Sequence, residues 1–452
     1  MEFDVIIIGW GKGGKTLAAA LADQGQAVAM IERSQDMYGG ACINVACIPT
    51  KALIHSAETR TGDGYDSAVF DEAVENRNRL TGAMRDKNFS MLDSRETVTV
   101  IDGEASFTGP KTLKVAAGED VMEVAAETII INTGSVPRLP HVAGAEIGGR
   151  IHTSITLQQA PLPKHLIIVG GGFIGLEFAS MFSQFGSEVT VLDRSRRPLL
   201  RIDRDVAFEV AKSLHDSGVR IVSGADVFRI SQSADCAQIQ YLWNEQEQTV
   251  RGDAVLMALG RRPDTEDLNL AAAGIDTTEN GAVLVDEHLR TSVPGVYAVG
   301  DVNGGPQFTS ISLDDYRIVL DQLTGDGTRS TKDRRAVPST TFTTPPFSTV
   351  GMTEKEARNS GRRIKVASKK VADIAAMPRP KIVGDPRGMI KVIVDADTDL
   401  ILGAALAHVD SQEVINLLAL AMRHDVTASE LRDTIYIHPS SSEALNEVLA
   451  TI

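Results

Sequence analysis

No apolar run in this chain approaches the eighteen or so residues that a membrane-spanning helix needs. Positive charge is also in short supply. There are 45 Lys and Arg against 60 Asp and Glu, a net charge of -15. Nucleic acid and anionic membrane are therefore not expected as partners of the bulk surface. No basic stretch opens the chain; MEFDVIIIG reads as a strand rather than a cleaved leader, and the expected location is the cytoplasm. There is no G-x-S-x-G elbow, so a Ser-His-Asp hydrolase is not indicated. Cysteine is scarce, three in 452 residues. In a reducing compartment a spaced cysteine pair reads as catalytic or metal-binding rather than as a staple.

What is present is ordinary globular material, 43% apolar and 23% charged, long enough for three or so domains. A buried strand, FDVIII, runs into GWGKGGKT and then a helical stretch. Gly9, Gly11 and Gly14 match G-x-G-x-x-G, while Gly9, Gly14, Lys15 and Thr16 match the P-loop pattern. Both place a phosphate on a helix N-terminus. The next strand, QAVAMIE, ends in Glu32, where a dinucleotide-binding unit needs an acid for the ribose and a P-loop does not. On that reading Lys12 and Lys15 are extra positive charge near the loop, or solvated.

The unit recurs. HLIIVGGGFIGLEFASMFSQFGSEVTVLDRS repeats it without a gap at an offset of 161, with Gly170, Gly172 and Gly175 for the three glycines and Asp193 for Glu32. Two such units in register predict two dinucleotide sites. Between them residues 65–100 read as a polar helix and 97–131 as short strands closing at Thr133-Gly134. A similar segment, DAVLMALGRRPD, closes the second unit around Gly260. Further on, GVYAVGD delivers Asp301, which either binds a polyol hydroxyl or caps the next helix. Residues 325–336 read as a domain junction, and the remainder is strand-rich, then helical.

Two stretches carry reactive side chains. In YGGACINVACIPTK, Cys42 and Cys47 are five residues apart. In a regular helix that spacing separates Cα atoms by roughly 8–9 Å, whereas a disulfide wants about 4.4–6.8 Å. A bond between them must therefore sit at a helix start or distort the helix, and helix N-terminal amides there would favour thiolate. Lys51 falls one turn after Cys47. Cys236 stands alone in a strand-like stretch and reads as inert. Near the C-terminus, Ser440 to Glu443 fits a capping box; the same glutamate could instead orient His438 for proton exchange.

This succession of glycine loops, Glu32, Cys42-x4-Cys47, Gly300-Asp301 and His438-Pro439 resembles the class I pyridine nucleotide–disulfide oxidoreductases. The resemblance covers essentially the whole chain. It implies an α/β fold with two Rossmann-like dinucleotide-binding domains and a C-terminal α+β dimerisation domain. Residues 1–145 would bind FAD, 146–265 NAD(P)H, 266–335 would complete the FAD domain, and 336–452 would form the interface. It further implies that Glu32 holds the adenosine ribose and that Thr133 and Gly134 contact FAD. Asp301 would bind the ribityl chain. Cys47 would face the flavin and Cys42 the substrate, as a redox-active disulfide. Lys51 would lie near the flavin and pair with Glu177. His438 and Glu443 would act in trans in a homodimer.

Within the family, MYGGACINVACIPTK, QFTSISLDDYRIV, TPPFSTVGMTEKEA and HPSSSEALN resemble a bacterial reactive-chlorine-resistance group, itself similar to mercuric reductases and associated with Cu(II) reduction. The acceptor implied is a metal ion, with Cys42 and Cys47 as its ligands in transit, or another small molecule; no resident structural metal is expected. The chain lacks an N-terminal C-x-x-C carrier domain, a C-terminal cysteine pair and a redox-active tail. Asp193 favours NADH over NADPH, although Arg194, Arg196 and Arg197 follow it. The competing expectations are a mercuric reductase or a small-disulfide reductase or dihydrolipoamide dehydrogenase-like enzyme and, from other classes, a P-loop nucleotide-binding protein or a redox sensor.

Overall fold

The apolar run that opens the chain becomes a central strand, Glu2–Ile8, in a computed structural model that describes residues 1–62, 64–140 and 142–452. Two units emerge from the packing. One comprises Met1–Leu53, Glu72–Arg138 and Gly260–Arg334; the other comprises Ile54–Asp71, Leu139–Leu259 and Arg335–Ile452.

In the first unit, strands Val98–Asp102, Val28–Glu32, Glu2–Ile8 and Asp120–Ile131 lie side by side and parallel. Strand Val296–Ala298 adds in parallel to Asp120–Ile131, and two antiparallel strands, Thr112–Ala117 and Glu104–Gly109, complete the sheet. Successive side chains of a strand point to opposite faces, and here both faces are buried. Ile6, Ile8, Ala29 and Ile31 pack on one side with Phe107 and Leu113. Val5, Ile7, Val28 and Met30 pack on the other with Leu17 and Leu21 of the helix Lys12–Ala22. A doubly covered parallel sheet requires such continuous apolar runs. Each fully buried Ile is worth roughly 1.5–3 kcal/mol, so a charge at Ile7 would break this layer.

The second unit repeats the arrangement. Val219–Ser223, Glu188–Asp193, His165–Val169, Ala254–Met257 and Ile151–His152 form a parallel sheet. Its register is that of the first: Val5 opposes Val28, and Leu166, 161 positions on, opposes Val189. A three-stranded antiparallel sheet, Asp226–Gln232, Ala237–Trp243 and Gln246–Gly252, packs Ile239 and Tyr241 onto it. The C-terminal part is an antiparallel sheet in the order Ser339–Thr341, Phe347–Gly351, Ile401–Ala407, Met389–Asp395 and Ile364–Lys370. Helix Ser411–Arg423 lays Val414, Ile415 and Leu418 on it. No helix is long and apolar enough to cross a membrane among the described residues.

The expected polar helix is Ser67–Asp93. One expectation fails locally. Cys236 lies in the turn before strand Ala237–Trp243 rather than in a strand, with its backbone tied to Ser233. Two residues with turn preference, Ser233 and Asp235, decide that stretch.

Candidate active site

Each glycine loop is shaped by what it must avoid. Gly9 has φ +94°, and a Cβ there would lie 2.6 Å from the Asn132 carbonyl oxygen. Gly170 has φ +114°, and its Cβ would lie 2.4 Å from the Ala258 carbonyl oxygen. In both units the loop is thus pressed against the residue that follows the adjacent parallel strand. Gly14 and Gly175 are closed to any side chain by Asn132 Oδ1 and by the Gly170 carbonyl oxygen, at 2.4 and 2.0 Å from the added atom. Gly11 and Gly172 are the N-cap residues of the two helices; in the first helix the Gly13 and Gly14 amides donate to Ser312 Oγ and Asn132 Oδ1.

The acids stand where expected. Glu32 is buried and accepts hydrogen bonds from the amides of Trp10, at 3.0 Å, and Ser34, at 3.4 Å. Burial pushes its carboxyl pKa up. Asp193 is likewise buried and accepts from the Ser195 amide at 3.1 Å. Arg197 donates to the carbonyls of Leu199, Leu200 and Ile202, so its guanidinium is committed to its own loop. Arg194 and Arg196 are exposed.

Lys15 corrects the sequence-based expectation. It is 6% exposed, not solvated, and its ammonium donates to the Gly39 carbonyl at 3.1 Å and Asn88 Oδ1 at 2.6 Å. A P-loop lysine and threonine must reach phosphate and metal. Here Lys15 is turned to protein groups and the Thr16 hydroxyl donates back to the Lys12 carbonyl.

The segments around Thr133-Gly134 and Gly260, noted in the sequence for their similarity, pair with each other. Ser135–Pro137 and Arg261–Pro263 form an antiparallel ladder, and the Thr133 hydroxyl donates to the Asp264 carbonyl at 2.7 Å. Gly134 and Gly260 have φ +74° and +92°, and a Cβ at either would meet open space. Asp301 lies in the turn Gly300–Asn303 and accepts from the Ser135 hydroxyl at 2.6 Å; Arg261 Nε donates to that hydroxyl at 2.8 Å.

Cys47 is the first residue of helix Cys47–Thr59, and Cys42 belongs to the short helix Ala41–Asn44. The pair therefore sits at a helix start, as its spacing demanded. Both sulfurs are thiols. The hydrogen bond to Cys47, then burial, pushes the Cys42 thiol well up, while the Thr309 hydroxyl and Lys15 pull the other way. Thr309 Oγ1 lies 3.6 Å from Cys47 Sγ. Lys51 is half-buried one turn along the same helix.

Glu177 lies in helix Phe173–Gln184, buried, and accepts from the Phe342 amide at 2.8 Å. His438 and Glu443 are brought together: Glu443 Oε2 lies 2.9 Å from His438 Nδ1, while Oε1 accepts from the Ser440 amide at 2.9 Å. The Ser440 hydroxyl accepts in turn from the Glu443 amide at 3.3 Å, but the expected capping box does not open a helix: the next helix is Ala444–Leu449, with Glu443 itself as its N-cap residue.

Three residues of this architecture escape a reading by motif. Asn132 accepts from the Gly14 amide at 2.5 Å and donates to the Val299 carbonyl at 3.2 Å, linking the first loop to the strand before Asp301. Asp315, fully buried, accepts from the Gly300 amide at 2.6 Å and pairs with Arg334, and so fixes the turn that carries Asp301. Thr309 stands at the sulfurs although 262 residues separate it from Cys47. The only signal for it in the chain was its place in the QFT segment.

Comparison with known proteins agrees with this architecture. The family description "Pyridine nucleotide-disulphide oxidoreductase" matches residues 3–315, and the dimerisation domain of the same family matches residues 337–449. The chain is 45% identical over 452 residues to a protein of Escherichia coli strain K12 described as a probable pyridine nucleotide-disulfide oxidoreductase, RclA; the match covers 100% of this chain and 99% of that one. It is 30% identical to the mercuric reductase of Lysinibacillus sphaericus, over 98% of this chain and 81% of that protein. A solved structure described as the Cu(II) complex of the HOCl-induced flavoprotein disulfide reductase RclA from Escherichia coli superposes with a TM-score of 0.94 at 44% identity, over 100% of both chains. With the glycine loops, the cysteine pair and the C-terminal sheet all accounted for, the chain belongs to the pyridine nucleotide–disulphide oxidoreductase family, FAD-dependent flavoproteins that work with a pyridine nucleotide.

Proposed function

We propose that this protein takes electrons from NADH, in preference to NADPH, and uses Cys42 and Cys47 to reduce a metal ion, Cu(II) foremost, or an oxidised product of reactive-chlorine stress. The observation that carries the reading is the hydrogen-bonded thiol pair at a helix start, with a hydroxyl beside it. Such a dithiol closes to a disulfide by giving up two electrons and two protons, enough to take two Cu(II) to Cu(I). Thiolate sulfur suits the Cu(I) product. The similarity to a protein whose structure is described as a Cu(II) complex, and to a mercuric reductase, supports a metal acceptor.

The chain's residues fit both dinucleotides. Gly9, Gly11 and Gly14 leave no room for side chains, and Glu32 stands ready as a ribose acceptor. Thr133, Gly134 and Asp301 complete the FAD set, with Asp301 oriented by Ser135. Gly170, Gly172, Gly175 and Asp193, with Gly260, form the corresponding NADH set. When bound, the two dinucleotides supply hydride and electron transfer, which the protein positions. In this reading residues 1–145 and 266–335 form the FAD domain, 146–265 the NADH domain and 336–452 the interface.

Cys47 is the cofactor-side sulfur and Cys42 the acceptor-side sulfur. The hydrogen bond to Cys47 and burial favour the protonated form of Cys42, which gives up its proton when an acceptor arrives. Lys51 serves the flavin side of the site. His438, held by Glu443, exchanges a proton with the thiols of a second copy. Ile435 and Ile437, 98% and 80% exposed beside His438, suit a surface that a partner subunit covers. A reducing compartment, the cytoplasm, suits a pair that must cycle through its dithiol.

The test is an anaerobic titration of the purified flavoprotein with NADH, followed by Cu(II), Hg(II), glutathione disulfide and lipoamide as acceptors. Cu(II) should be reduced fastest, and Cys42→Ser should lose at least 100-fold in that rate. Wild-type Cu(II) reduction by Cys42→Ser would remove the thiol pair from the reaction, and faster turnover of lipoamide or glutathione disulfide would replace the metal acceptor with a disulfide.

A further inference from the structure

Lys15 is an ammonium in the interior with two neutral hydrogen-bond partners, the Gly39 carbonyl and Asn88 Oδ1. Burying such a charge costs several kcal/mol unless something compensates it. Desolvation, with repulsion from Lys12 adding to it, draws the pKa down to about 8. The group is nonetheless mostly protonated at neutral pH. An apolar side chain of similar length would fill the space at lower cost, so the retained charge and its two bonds call for a use.

The bonds tie Lys15 to the segment that carries Cys42. Gly39 and Gly40 turn the chain with φ +97° and +78°, immediately before helix Ala41–Asn44. The turn is pressed against the glycine loop: a Cβ at Gly40 would lie 2.8 Å from Gly11 Cα. On its far side Asn44 Nδ2 donates to the carbonyls of Tyr38 and Gly40, and Arg85 Nε donates to Asn44 Oδ1 at 3.0 Å. Arg85 and Asn88, three residues apart, are neighbours on one face of helix Ser67–Asp93. That helix therefore grips the Cys42 segment twice, once through Asn44 and once through Lys15. The Lys15 charge also reaches the sulfur. The two groups favour each other's charged forms, so Lys15 opposes the influences that keep Cys42 protonated.

We propose that Lys15 is a positioning residue for the acceptor-side sulfur: through Gly39 it fixes the turn that presents Cys42, and its ammonium lends positive potential to a sulfur that must carry negative charge as it delivers electrons. The inference rests on the role of Cys42 proposed above. The chemistry is the dithiol-to-disulfide step already balanced there; Lys15 neither gains nor loses a covalent bond.

The experiment uses the full-length flavoprotein and times the two halves of turnover separately by stopped flow: reduction by NADH, then reoxidation of the reduced enzyme by Cu(II). Alkylation of Cys42 by iodoacetamide, read by mass spectrometry, reports the sulfur directly. Lys15→Met should slow reoxidation and Cys42 alkylation at least tenfold and leave reduction by NADH within twofold. Lys15→Arg should recover most of the loss. Asn88→Asp keeps the lysine but sets a carboxylate against its charge, and should slow the same two measurements even if Lys15→Met does not fold. Wild-type reoxidation in Lys15→Met or in Asn88→Asp would overturn the proposal, as would a Lys15→Arg enzyme no better than Lys15→Met. Cys42→Ser, run alongside, separates the two readings. If it reoxidises normally with Cu(II), the thiol reading itself falls; if it is inactive while Lys15→Met is normal, only the role of Lys15 falls.

Discussion

Glu443 divides its carboxylate between two tasks, holding His438 Nδ1 at 2.9 Å with one oxygen and the Ser440 amide at 2.9 Å with the other. Although desolvation pushes the other way, the Ser440 amide and His438 hold the Glu443 carboxyl below its usual range. Glu443→Gln keeps an acceptor for the amide and removes the negative charge facing the imidazole. We expect kcat for Cu(II) reduction to fall roughly tenfold, less than the ~10²–10⁴-fold that the acid–base group itself supplies because Glu443 only orients it, and the pH profile of kcat to move. Glu443→Ala also removes the bond from the Ser440 amide, worth about 1 kcal/mol, and should lower the melting temperature. An unchanged kcat and pH profile in Glu443→Gln would leave the bond from the Ser440 amide as the only role of this residue.

Thr309 Oγ1 stands 3.6 Å from Cys47 Sγ, and hydrogen bonding to a charged form favours it. Thr309→Val keeps the shape of the side chain and loses the hydroxyl. The reduced enzyme should then show a weaker long-wavelength absorption and reduce its acceptor a few-fold to tenfold more slowly. Thr309→Ser should restore both. Spectra of Thr309→Val that match the wild type would show that the hydroxyl does not serve the sulfur.

Nicotinamide preference should turn on Asp193 and not on Arg197, whose guanidinium is engaged by three carbonyls of its own loop. A carboxylate accepts ribose hydroxyls and repels a 2′-phosphate. Asp193→Ser should shift the ratio of kcat/KM for NADPH over NADH upward by at least tenfold. Arg197→Ala should loosen the loop and lower thermal stability without changing that ratio. If Asp193→Ser leaves the ratio where it was, the ribose is read elsewhere.

His408 is fully buried, with Nδ1 2.5 Å from the Val409 carbonyl oxygen, and desolvation draws its pKa from 6.5 down to about 4. The folded chain keeps this imidazole neutral where the unfolded chain takes up a proton. Stability contributed in this way is complete above about pH 6.5 and is lost as the pH falls towards 4, by roughly 3 kcal/mol over the span. His408→Gln does not titrate there, so its urea midpoint should fall less than that of the wild type between pH 7.5 and 4.5. Parallel losses in the two proteins would show that His408 is protonated within the fold.

Much of this could be read from the chain because it depends on local order. A gapless repeat at 161 residues, with glycines, strand and terminal acid in the same places, admits one explanation, and the strand register repeats as the residues do. The glycines are legible because no other residue fits against the Asn132 and Ala258 carbonyls. The cysteine pair is legible because five-residue spacing and helical geometry conflict anywhere but at a helix start, which is where Cys47 lies.

What the tertiary structure alone decided lies between residues far apart in sequence, where no periodicity or spacing carries a signal. Asn132 bracing the Gly14 loop, Asp315 bracing the Asp301 turn and Thr309 at the sulfurs are of this kind. Lys15 is the sharpest instance. By sequence it is one more charge beside a phosphate loop. Only the packing of helix Ser67–Asp93 over the Gly39 turn takes it out of water, and burial gives a lone ammonium enough field to matter to Cys42.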